Sequence, residues 1–101
     1  MMIFTPYGLA TMAVSATTST ASGALNLPSA PHAGTTVRIH NAASVVVFIK
    51  FGDSTVTAAT TNMPIPAGGT EVFQIGPSVT HIAAITASGS GTLYATTGVG
   101  A

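Results

Sequence analysis

The feature that most constrains this chain is its punctuation. Gly, Pro, Asn, Asp and Ser interrupt it so often, and Thr and Val fill so much of the rest, that no window is left for an uninterrupted helix. Between the breaks, short segments alternate apolar and polar residues with the period of two that belongs to a half-buried strand. Thr35 to Asn41 carries the clearest signal: Val37, Ile39 and Asn41 fall on one face, Arg38 and His40 on the other. Val45 to Phe51 is apolar on both faces except at Lys50, which predicts a central strand buried on two sides.

The remaining segments follow the same logic. Met12 to Ala21 alternates small polar and apolar residues and reads as one long, weak strand ending near Gly23. Leu25-Asn26-Leu27-Pro28 through Pro31 reads as a loop or an extended arm. Ala42-Ala43-Ser44 and Gly52-Asp53-Ser54 are turns. Thr55 to Thr61 is expected to form a short edge strand, and the prolines of Asn62 to Pro66 confine that stretch to an edge or a connection. Ala67-Gly68-Gly69 turns into a strand from Thr70 to Ile75, and Gly76-Pro77-Ser78 into another from Thr80 to Ala87. Ser88-Gly89-Ser90-Gly91 predicts a hairpin to a last strand, Thr92 to Thr97.

About seven or eight short strands, with turn signals roughly every ten residues, predict an all-β fold. The expected architecture is a single antiparallel β-sandwich, jelly-roll-like, with an extended N-terminal arm. Residues 1–34 would supply that arm and the first strand, and residues 35–101 the sandwich core. The arm would lie in Met1 to Pro31 and reach a neighbouring subunit. The expected inward set is Val37, Ile39, Val45, Val47, Ile49, Phe51, Phe73, Ile75, Ile82, Ala84, Leu93 and Ala95.

Charge narrows the function. In 101 residues there are two Lys+Arg and two Asp+Glu, namely Arg38, Lys50, Asp53 and Glu71, and the formal net charge is zero. Ordinary soluble domains carry about 25% charged residues; this chain carries 4%. With so little repulsion between copies, a free monomer tends to associate, so much of the surface is expected to be covered by partners. Neutrality argues against nucleic acid and anionic membrane, both of which call for clustered cations. The longest apolar run, Val45 to Ile49, is too short to span a bilayer. Cysteine is absent, which removes disulfides and thiolate metal sites. The first sixteen residues lack a basic region and are broken by Pro6 and Gly8, so they read as mature sequence.

The residues offer little chemistry. A hydrolase triad needs a carboxylate to orient its histidine, and Asp53 sits in a turn where Asp is favoured for backbone bonding. A glycosidase pair would have to bring Asp53 to Glu71. His32, His40 and His81 match no local metal motif, although copies of one histidine can meet on a symmetry axis. The glycines at 68, 69, 89 and 91 precede no helix and no Gly-Lys-Thr step, so they are turn residues. Sugar platforms are scarce: Trp is absent, and Tyr7 lies far along the chain from Tyr94. Thr17-Thr18-Ser19-Thr20 reads as ordinary strand surface. No catalytic, cofactor-binding or metal residue is singled out, and neither a cofactor nor a small-molecule substrate is expected.

From Val37 onward, "VRIHN", "VVVFIKFGDSTVTA", "MPIPAGGTEVFQIG" and "THIAAITASGSGTLYATTGVG" together resemble small β-sandwich virion proteins of tailed bacteriophages and prophages. The resemblance is a pattern of strands and turns: a strand ending in a Phe-Gly turn, a Pro-rich connection, an "AGGTE" turn and a final Ser/Gly hairpin. It implies a capsid decoration or cement protein on the surface of the virion. Its partners would be the major capsid protein and copies of itself, with a trimer favoured. The alternatives are a phage tail, baseplate or fibre module, and a secreted glycan-binding β-sandwich.

Overall fold

The computed structural model describes residues 4–27, 35–76 and 78–99. Its strands are β1 (Thr5–Pro6), β2 (Met12–Ala16), β3 (Ala21–Ala24), β4 (Thr35–Asn41), β5 (Val47–Gly52), β6 (Met63–Ile65), β7 (Thr70–Gln74), β8 (His81–Thr86) and β9 (Gly91–Val99). They form two antiparallel sheets packed face to face. In the first, β1 and β2 share one edge in tandem, followed by β9, β4 and β7; the second runs β3, β8, β5, β6.

The pairings nest. β5 pairs with β6, β4 with β7, β3 with β8 and β2 with β9, as in one long hairpin folded about the β5–β6 connection. That hairpin is then rolled until β4 meets β9 and β5 meets β8. This is the jelly roll, an eight-stranded sandwich to which β1 adds a short ninth strand. The period-two segments account for it. Each strand turns one set of side chains to the other sheet, and the two sets close a single core.

All twelve residues of the expected inward set lie in that core or pack against it. The core also takes Val14, Ala16 and Leu25, so the sandwich begins well before residue 35. Met12 to Ala21 is not one strand. Thr17 accepts a hydrogen bond from the Ser19 N–H on its hydroxyl and from the Thr86 N–H on its carbonyl. The chain turns there from the first sheet into the second.

Two further expectations are corrected. Thr55 to Thr61 makes no strand, because side chains take its backbone N–H groups. The Thr55 N–H goes to the Asp53 carboxylate, the Ala58 N–H to the Thr20 hydroxyl and the Ala59 N–H to the Asn62 side chain. Ser88 to Gly91 makes no hairpin either, since β8 lies in the second sheet and β9 in the first. The loop crosses between sheets. Gly91 is needed there for close approach: a Cβ at that position would stand 2.1 Å from the Ala43 Cβ.

Candidate interaction surface

β5 runs through the middle of the second sheet, between β8 and β6. Its inward side chains, Val47 and Ile49, are sealed in the core. Its outward ones are apolar as well. Phe48 stands opposite Ile85 on one side and Pro64 on the other, and just before the strand Val46 is 40% exposed. Lys50 is the one lysine on this outer face, opposite Ala83. The expectation that this strand would be covered on both faces is therefore met on the inner face alone.

Beside Phe48 the apolar face deepens into an open hollow of about 460 Å³, lined by Val45, Val46, Phe48, Ala67 and Ala87 with the hydroxyls of Ser44 and Ser88. Three connections meet there: β4–β5, β6–β7 and β8–β9. Asn41 fixes two of them. It is fully buried at the end of β4, and its Nδ2 donates to the carbonyls of Val45 (2.9 Å), Ile65 (3.0 Å) and Pro66 (3.1 Å). Its Oδ1 accepts from the Ala43 N–H at 2.9 Å. A buried amide satisfied on both ends holds loops in place, because breaking one bond strands its partners without water. Sequence periodicity put Asn41 on the inward face; an amide at an inward position was the available signal for this role.

The outer face of the first sheet differs. Arg38 is flanked there by Thr96 and Val72, and His40 by Tyr94 and Thr70. Polar contacts tie it together: His40 Nδ1 meets Thr70 Oγ1 at 2.9 Å, and the Thr11 and Thr96 hydroxyls meet at 2.8 Å.

The chemical candidates do not converge. Asp53 follows β5 in the second sheet, whereas Glu71 lies on β7 of the first. The Thr55 hydroxyl and then the Thr55 N–H hold the Asp53 carboxyl below the usual carboxylate range; the charge of His81 adds less. His40 lies on β4, and His81 on β8, bonded through Nδ1 to the Thr80 hydroxyl at 2.7 Å. His32 lies outside the described residues. Among the described residues no three His, Asp or Glu gather as a metal site. The Thr17 to Thr20 stretch is a turn between sheets rather than strand surface. Comparison of the chain with protein-family models, curated proteins and solved structures finds no match.

Proposed function

We propose that this protein is a non-enzymatic structural component of a virus particle, a decoration or cement protein that binds the capsid shell. The observation that carries the reading is the apolar outer face of the second sheet, exposed on a chain with two cations and two anions. Such a face on a jelly roll fits a permanent, shape-complementary contact driven by burial rather than by ion pairs. Jelly rolls also build lectins and cupins, so the fold alone does not choose the function. The scarcity of sugar-stacking aromatics and the scattered acids and histidines weigh against those two uses. The phage-like pattern from Val37 onward supports the virion.

The decisive experiment is quantitative mass spectrometry of purified particles, counting this chain against the major shell protein. Abundance comparable to the shell protein is the expected result. A handful of copies per particle moves the protein to the tail, and complete absence overturns the virion reading.

A further inference from the structure

Every open sheet has two edges, and an edge strand carries backbone N–H and C=O groups with no neighbour to take them. Three of the four edges here are blunted over at least part of their length. Pro6 in β1 and Pro64 in β6 each lack an N–H. β3 is a short edge strand of four residues with a glycine inside it. The fourth edge is β7, Thr-Glu-Val-Phe-Gln, with no Pro and no Lys.

The phase of its ladder tells which groups are open. The Ile75 N–H donates to the Thr35 carbonyl, and the Asn41 N–H to the Gly69 carbonyl. Hydrogen-bonded positions toward β4 are therefore 69, 71, 73 and 75. Thr70, Val72 and Gln74 direct their N–H and C=O the other way, and among the described residues nothing pairs with them.

We infer that this edge takes the β7 strand of a second copy, antiparallel, about a two-fold axis through Val72. An edge of this kind fits an extended strand, and β7 fits itself. With Val72 opposite Val72 of the second copy, Thr70 faces Gln74 and every open group finds a partner. That gives three hydrogen-bonded pairs and about six hydrogen bonds, two per pair. Sliding the register so that Thr70 meets Val72 would set Glu71 against Glu71, a like-charge pair. The Val72 register instead places Glu71 opposite Phe73 and leaves the two carboxylates on the diagonal, roughly 7–8 Å apart, where exposure screens them. The two Arg38 residues stand three strand spacings apart, about 14 Å, beyond the Debye length. The valine that would lie on the axis is already 40% exposed. The contact is a dimer contact, separate from the three-fold association implied by the phage resemblance, and it does not depend on the virion reading.

The test is sedimentation equilibrium over a wide concentration range, paired with hydrogen exchange read at single amides. Wild type is expected to pass from monomer to dimer, with the Thr70, Val72 and Gln74 amides becoming protected as it does. Val72→Pro deletes an N–H that faces away from β4, and it is expected to weaken association roughly thirty-fold through one lost bond per copy and a steric block. Val72→Lys, at an exposed side-chain position, should do at least as much while leaving the far-ultraviolet spectrum and melting temperature intact; it carries the test if the proline variant misfolds. Three results overturn the inference: a chain that stays monomeric throughout, a dimer indifferent to both substitutions, or protection of these amides in the monomer.

Discussion

The outward faces of the two sheets make an instructive pair. Each has a long central strand, β4 in one and β5 in the other, and each seals inward side chains in the core, Val37 and Ile39 from β4 and Val47 and Ile49 from β5. Outside, β4 presents Arg38 and His40 among Thr70, Val72, Tyr94 and Thr96, whereas β5 presents Phe48 among Ile85, Pro64 and the hollow. Folding dictates the inward set, because those side chains make the core. It leaves the outward set nearly free, so the composition of an outer face reports what that face meets. The first sheet mixes polar side chains with the exposed Val72 and Tyr94. The second is more uniformly apolar, with Lys50 as its one lysine.

The largest expected effects test whether the two sheets do share one core. Ile39→Ala in β4 and Ile49→Ala in β5 should each cost about 2–5 kcal/mol in urea unfolding, since each empties a closed site. A loss at one site several-fold below the other would mean that one sheet is held more loosely. Asn41→Ala comes next, at about 1–3 kcal/mol, because it strips bonds from Ala43, Val45, Ile65 and Pro66 together.

Sharper for the comparison is a charge placed on either outer face. Val46→Asp should leave the melting temperature nearly unchanged yet weaken attachment to particles about thirty-fold, the effect of losing an interface anchor. Thr96→Asp on the first sheet should leave attachment unaltered. Equal losses would erase the distinction between the faces. The smallest effect concerns Asp53. Its folded-state pKa is depressed, so its contribution to stability is present above the ordinary Asp value of about 3.9 and fades as acid protonates the carboxylate. Asp53→Asn should flatten the acid limb of the urea midpoint slightly; an unchanged limb would show that the Thr55 bonds persist without the charge.

Much of this was legible in the chain. Alternation located Val37, Ile39 and Asn41 on one face and Arg38 and His40 on the other. Pro64 marked an edge strand, and the two-sided apolarity of β5 marked a central strand, although it predicted burial on the outer face that the structure does not show. The misreadings have separate causes. Thr55 to Thr61 alternates like a strand, but nearby side chains capture its backbone groups first. Ser88 to Gly91 looks like a hairpin turn, but glycine serves equally where two backbones approach closely, as Gly91 and Ala43 do.

The sequence by itself determined the class of the fold and the identity of most of its core, because period and punctuation are local properties that each strand carries alone. Which strand lies beside which was decided by tertiary structure. The same alternation permits β8 to pair with β9 or with β3 and β5, and the choice depends on how the two inner faces fill one another. The open edge at β7 and the bare outer face of β5 follow from that choice, since a strand has no edge and a face no exposure until its neighbours are set.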